Sequence, residues 1–171
     1  MIALVERELE GEPSMLTMRE LAIADDDHAG PVITVTDGEQ TTRYRIAAAH
    51  FEDATTFFPV LGRYEVWQLI NLTGDTHPIH VHLDPFQILS RSPIRYQIPE
   101  HGIEDRAITA AVTLGREPDD EPGHAIDDNE RGLKDTVRVN PHEIAEIAVR
   151  FTTYSAATCT TATSSNTKTA T

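Results

Sequence analysis

Three histidines lie within six residues of one another in the segment His77-Pro78-Ile79-His80-Val81-His82. Neutral imidazole is the commonest protein ligand of copper and zinc. If Val81 lies on a strand, His80 and His82 project from the same face of that strand, about 6.5–7 Å apart. Pro78 restricts the residue before it to extended geometry. His77 is therefore expected on the turn that enters the strand, where it can face a different metal from the other two histidines.

Short apolar segments separated by turn residues predict an all-β fold. Asp37-Gly38 between two alternating segments is a hairpin signal, and Asn140-Pro141-His142-Glu143 is typical of a turn between strands. Alternating short strands of this kind suit a Greek-key β-sandwich. The predicted strands cover residues 32–36, 41–46, 64–72, 79–83, 86–91, 136–139 and 144–151.

Residues 64–83, followed by Phe86-Gln87-Ile88-Leu89 and later by Gly132-Leu133-Lys134-Asp135-Thr136-Val137, resemble the C-terminal cupredoxin domain of multicopper oxidases. The resemblance is to the group of bacterial phenoxazinone synthase, spore-coat laccase and bilirubin oxidase, and covers roughly residues 31–154. It implies a cupredoxin-like Greek-key β-sandwich with copper as its cofactor. In that family the first histidine of the motif binds the type 1 copper, the second the type 2 copper and the third a type 3 copper. These roles carry over to His77, His80 and His82.

The family also needs a second motif, HCHxxxHxxxxM, about one strand pair later. A type 1 site is a His2Cys centre with a weak axial Met, so its thiolate has to come from that motif. This chain continues instead as SAATCTTATSSNTKTAT, with seven Thr, four Ala and three Ser, and Cys159 has no flanking histidine. We therefore expect a sandwich that is incomplete at its C-terminal strands, and a chain that carries half of the copper ligands and is inactive alone.

A shift of the reading frame would explain this tail. One additional nucleotide before the codon of Ala156 permits the reading GRYMYHCHILEHEDSDM when the degenerate bases are chosen freely, and the family motif then returns in register. Residues 155–171 are accordingly expected to be disordered and to be a frameshift product, of biological origin or from a sequencing error. The alternative is a natural Thr/Ser-rich disordered tail or a mucin-like stalk.

The remaining sequence sets the domain organisation and excludes some functions. We expect residues 1–30 to be a polar lead-in or interdomain linker, residues 31–154 the cupredoxin domain, and about 93–131 a long polar insertion within it. No signal peptide is expected, which leaves the cytoplasm as the default location, and no segment approaches the roughly 18 apolar residues of a membrane span. The net charge of −14, from 14 basic and 28 acidic residues, argues against nucleic acid as a partner.

Three functions stay open at this point. The resemblance implies a fragment of an oxidase that takes single electrons from phenols or o-aminophenols and reduces O2 to water. The second is a non-enzymatic copper-binding module, or a split subunit completed by a partner chain that carries the other cupredoxin domains. The third is a zinc hydrolase, because His80, His82 and Asp84 form the His-x-His-x-Asp pattern of dinuclear zinc sites. Pro85 stands where that pattern expects a further histidine.

Overall fold

The computed structural model describes residues 1–9, 12–115, 124–152 and 160–162, and in these ranges the chain forms twelve strands and one short 3-10 helix. The predicted all-β class is confirmed. Within the described ranges there is no helix whose length and apolar character would let it cross a membrane. The strands are β1 (Ile2–Leu9), β2 (Glu12–Ile23), β3 (Ile33–Asp37), β4 (Gln40–Ala48), β5 (Tyr64–Asn71), β6 (His77–Val81), β7 (Phe86–Gln97), β8 (Ala110–Leu114), β9 (Leu133–Lys134), β10 (Thr136–Val139), β11 (Glu143–Arg150) and β12 (Thr160–Ala162), and the 3-10 helix covers Asp128–Glu130.

The strands form a large sheet and a small sheet. The large sheet has the order β11-β5-β1-β2-β4-β3-β8-β7-β9, and β11 also pairs with β7. Because β11 pairs with both β5 and β7, the large sheet curls round and closes on itself. The small sheet has the order β10-β6-β12, so the strand that carries the histidine motif is its centre.

The two sheets pack face to face on a common apolar core, as expected of a β-sandwich. Ile79 and Val81 of β6 meet Phe86 and Ile147 of the large sheet in this core. Burial of one such side chain contributes about 1.5–3 kcal/mol. The apolar residues of the motif therefore fix β6 against the large sheet. A second core lies on the other face of the large sheet and contains Leu21, Ile33, Ile70, Ile94, Ile108 and Val112 among others.

Residues 1–30 do not form the polar lead-in that their composition suggested. Strand β1 pairs antiparallel with β2 and parallel with β5. The consecutive residues Ala3, Leu4 and Val5 are all buried, because Leu4 faces one core while Ala3 and Val5 face the other. A strand covered on both faces has a continuous apolar segment rather than an alternating one, and here that segment is too short to stand out beside its acidic neighbours.

The predicted polar insertion at residues 93–131 is also partly strand. β7 continues into it, and β8 pairs with both β3 and β7. Residues 116–123 lie outside the described residues. In the tail, Thr160–Ala162 form β12, which pairs antiparallel with β6. The other residues of the predicted disordered tail, 155–159 and 163–171, lie outside the described part of the chain.

Candidate metal site

The histidines of β6 lie on its two opposite faces. His77, Ile79 and Val81 are buried, whereas Pro78 and His80 between them are half-buried. His82 follows the strand directly, and its ring centroid lies 5.0 Å from that of His80. The structure thus brings His80 and His82 together and separates His77 from both. Pro78 suggested that His77 lies on the turn before the strand. That prediction is wrong, because His77 is the first residue of β6.

His77 is a buried histidine, 1% exposed, whose ring is oriented by the loop before β6. Its Nε2 lies 2.6 Å from Thr73 Oγ1. The Thr73 hydroxyl has one proton, which it donates to Asn71 Oδ1 at 2.9 Å, so it accepts a hydrogen bond from the ring. This network assigns the ring proton to Nε2 and leaves a lone pair on Nδ1.

The Nδ1 atom of His77 is buried and has no hydrogen-bond partner among the described residues. A buried acceptor without a partner is costly, and a metal ion bound at Nδ1 would remove that cost. Burial lowers the pKa of His77, although Glu6 and Asp75 oppose this effect. The neutral ring, which is the metal-binding form, is therefore favoured at neutral pH.

Asn71, a fully buried residue, holds the loop that orients His77. Its Nδ2 donates to the carbonyl oxygens of Asp75 at 2.8 Å and Val139 at 3.1 Å. Its Oδ1 accepts from both the backbone N and the Oγ1 of Thr73, each at 2.9 Å. The sequence reasoning missed Asn71 and Thr73. The signal available for them was the preference of Asn and Thr for side-chain hydrogen bonds to nearby backbone in turns.

On the other face of β6, the start of β10 and the residue before it orient His80. The Nδ1 atom of His80 lies 2.8 Å from Asp135 O and 3.3 Å from Thr136 Oγ1. Because a carbonyl oxygen only accepts, Nδ1 carries the proton and Nε2 is the nitrogen available to a metal. A histidine that donates its second N–H to a backbone carbonyl is typical of metal ligands.

Asp84, the third ligand position of the zinc pattern, does not join His80 and His82. The carboxylate of Asp84 accepts hydrogen bonds from the Thr152 hydroxyl at 2.7 Å and from the Thr152 backbone N at 3.2 Å. Among the described residues, no group of three or more His, Cys, Asp or Glu side chains is arranged to hold one metal ion. Cys159 lies outside them. What the described residues provide is one buried imidazole, His77, on one face of β6 and the adjacent imidazoles of His80 and His82 on the other.

Comparison with known proteins agrees with the family resemblance. A family model described as multicopper oxidase matches residues 27–158. A laccase from Bacillus stratosphericus is 35% identical over 105 residues, which cover 61% of this chain and 18% of that protein. A laccase from Haloferax volcanii is 37% identical over 103 residues, covering 60% of this chain and 13% of that protein.

Among solved structures, the crystal structure of a laccase from Pediococcus acidilactici is 24% identical and gives a TM-score of 0.39, covering 77% of this chain and 23% of that one. The chain spans less than a fifth of the length of each of the two laccases named above, 18% of the Bacillus protein and 13% of the Haloferax protein.

Proposed function

The chain belongs to the multicopper oxidase family, and we propose that it supplies one half of the copper ligands of a laccase-like oxidase. The full enzyme would take electrons one at a time from phenols or o-aminophenols and reduce O2 to water. Copper is the cofactor that family membership implies. This chain would contribute His77 to a type 1 copper, His80 to a type 2 copper and His82 to a type 3 copper, and would be inactive alone.

The observation that carries this proposal is the division of the histidines between the two faces of β6. On the core face, His77 offers a buried Nδ1 atom that has no hydrogen-bond partner among the described residues, which suits an electron-transfer copper shielded from water. On the other face, half-buried His80 and His82 have their rings 5.0 Å apart, which suits metals that meet a small-molecule oxidant. Val81 N–H and the His80 ring both bond to Asp135 O, so one carbonyl just before β10 fixes both the backbone beside His80 and the orientation of its ring.

When bound, copper supplies the redox chemistry, and the residues of this chain hold and tune it. Thr73 keeps the proton of His77 on Nε2, so Nδ1 stays available as a ligand. The Asp135 carbonyl keeps the proton of His80 on Nδ1, so Nε2 of His80 stays available as a ligand. Outer contacts of this kind set ligand orientation and basicity.

We also propose that residues 156–171 are a reading shifted by one base, and that the unshifted reading carries the missing ligands. The register of β12 supports this. Thr161 lies opposite His80, and Ala162 lies opposite Ile79. Residues directly opposite one another in an antiparallel ladder belong to the same face of the sheet.

The unshifted reading has His at positions 161 and 163 and Cys at position 162. In this register the two histidines would belong to the face of His80 and His82, and the cysteine to the face of His77. A type 1 site requires His and Cys together. The division of the motif between the two faces is therefore the one that the family's ligand roles need.

A competing function is a split subunit, completed by a partner chain with the other cupredoxin domains. The described residues do not support the zinc hydrolase, because no carboxylate or further imidazole among them joins His80 and His82 as a third ligand.

The experiment replaces residues 156–171 by GRYMYHCHILEHEDSD followed by Met and loads both chains with Cu(II). The replaced chain is expected to show an intense thiolate-to-copper absorption band in the visible, because His77 and the restored cysteine share a face. A matched chain with Ser at position 162 should bind copper without the band. A replaced chain that binds copper but stays colourless would refute the frame proposal.

The unaltered chain loaded with Cu(II) is expected to show no such band and no laccase activity. Its weaker copper binding should depend on the half-buried pair His80 and His82, so changing both to Ala should remove most of it. A matched variant with both His101 and His142 changed to Ala should bind copper like the unaltered chain. A blue and active preparation of the unaltered chain would contradict the proposed half-site.

A further inference from the structure

The turn that follows His82 is conformationally strained. Leu83 has a φ of +79°, and the Asp84 N–H donates to His82 O at 3.1 Å. A hydrogen bond between residues i and i+2 around a residue of positive φ is the pattern of the classic γ-turn, which is rare and strained. Leu83 is 58% exposed, so burial of its side chain does not offset this strain. Contacts elsewhere must hold the turn.

Asp84 supplies those contacts. Its carboxylate is buried, and its two oxygens accept from the hydroxyl and the backbone N–H of one residue, Thr152. Thr152 directly follows Phe151, which is buried in the core between the sheets and packs on Trp67 with a ring separation of 5.7 Å. The carboxylate thus connects the strained turn to a fixed point of the core.

His82 depends on this turn for its position. The His80 ring is oriented by its hydrogen bond to Asp135 O. For the His82 ring, by contrast, the described residues supply no hydrogen bond. Its position beside the His80 ring therefore comes from the backbone on either side, which is Val81 in the strand and Leu83 in the turn.

We propose that Asp84 is a positioning residue for His82. Its contact with Thr152 holds Leu83 in the γ-turn, and the turn directs the His82 imidazole next to that of His80. The consequence for metal binding rests on the proposed function of His82 as a ligand, whereas the positioning itself exists without metal.

The test uses Asp84→Asn and Thr152→Val in the full chain, with two measurements. In the metal-free protein, the nuclear Overhauser effect between the ring protons of His80 and His82 should weaken. The Kd for Cu(II), measured by competition with a chelator, should rise about tenfold, the lower end of the loss that outer-shell changes cause. Adding Leu83→Gly to Asp84→Asn should restore both readouts, because glycine adopts positive φ without strain.

Asp53→Asn is the matched control, because the Asp53 carboxylate also accepts backbone N–H groups, those of Ala49 and His50, in a different loop. It should lower stability while leaving the ring contact and the Kd unchanged. If Asp84→Asn also lowers stability but changes neither readout, Asp84 is only structural and the proposal is wrong.

The two proposals fail separately. If Cu(II) binding by the unaltered chain does not depend on His80 and His82, the proposed function is refuted. The ring contact in the metal-free chain still decides whether Asp84 positions His82.

Discussion

Replacing Arg91 by Met would remove a guanidinium group that is 1% exposed and joins two carboxylates. Its Nη1 donates to Glu143, and its Nη2 and Nε donate to Glu130 at 2.8 Å and 3.2 Å. Both glutamates are themselves largely buried. The network joins β7, β11 and the 3-10 helix that precedes β9 and β10.

The loss in the free energy of unfolding depends on the two carboxylates, Glu130 and Glu143, that remain without Arg91. Removing one partner of a buried ion pair costs about 3–5 kcal/mol, because an uncompensated charge remains in the interior. Glu143 would keep its hydrogen bond from Asn140 N at 2.8 Å, and Glu130 lies 3.9 Å from Arg138. Both contacts reduce the penalty, so the lower end of the range, about 3 kcal/mol, is expected. This is a large share of the roughly 5–15 kcal/mol by which domains are stable.

Urea unfolding measures this change, with Trp67, the single tryptophan, as the fluorescent probe. The double variant Arg91→Met with Glu143→Gln should recover part of the loss, because glutamine keeps an acceptor for Asn140 without a buried charge. Arg131→Met, which removes an exposed pair with Asp128, should change nothing measurable. A free energy of unfolding for Arg91→Met within about 1 kcal/mol of the unaltered chain would refute the reasoning, since buried charge should cost more.

Three further outcomes are expected. Asn71→Ala should lower the free energy of unfolding, measured in urea, by about 1–3 kcal/mol, since it removes four hydrogen bonds, three of them buried. No loss would show that other contacts hold the loop before His77. Two backbone N–H bonds, then Arg106, lower the pKa of Asp53 to about 2, so its stabilisation should be full above about pH 4 and be lost as pH falls towards 2. Asp53→Asn should therefore destabilise at pH 7 and progressively less below pH 4. The lowered pKa of His77 means that stability should fall as pH drops below about 6.5, and His77→Gln should flatten that slope.

Some of the structure could be predicted from the sequence because its signals are local. The apolar alternation around Asp37-Gly38 and the segment before Asn71 correspond to strands β3, β4 and β5. The proximity of His80 and His82 follows from the period of two along a strand. These features need only the residues nearest to them in sequence.

Other features depend on contacts distant in sequence or on unfavourable local geometry. The burial of Ala3 to Val5 on both faces depends on β5, more than 60 residues away, through the pairing of Leu4 with Asn71. The positive φ of Leu83 contradicts the local preference of leucine, so no propensity argument finds it. The His-x-His-x-Asp pattern makes Asp84 a metal candidate, but the bonds of Asp84 to Thr152 depend on where β11 ends.

The spacing of His77, His80 and His82 predicts which face of a strand each of them occupies, and it is a better guide here than Pro78. His77 and His80 are three residues apart, so on one continuous strand they must face opposite sides, whereas His80 and His82 must share a side. Pro78 is compatible with a continuous strand here for a reason of register. The Val81 N–H points to the edge of β6 that β10 occupies, where it bonds the O atom of Asp135 just before β10. The backbone N of position 78, an odd number of residues away, therefore points to the other edge. There the described part of β12 pairs only with Ile79 to Val81, and no ladder hydrogen bond from Pro78 is needed. A proline at this position therefore leaves β6 intact, and the strand can present one imidazole to the core and two to the opposite face.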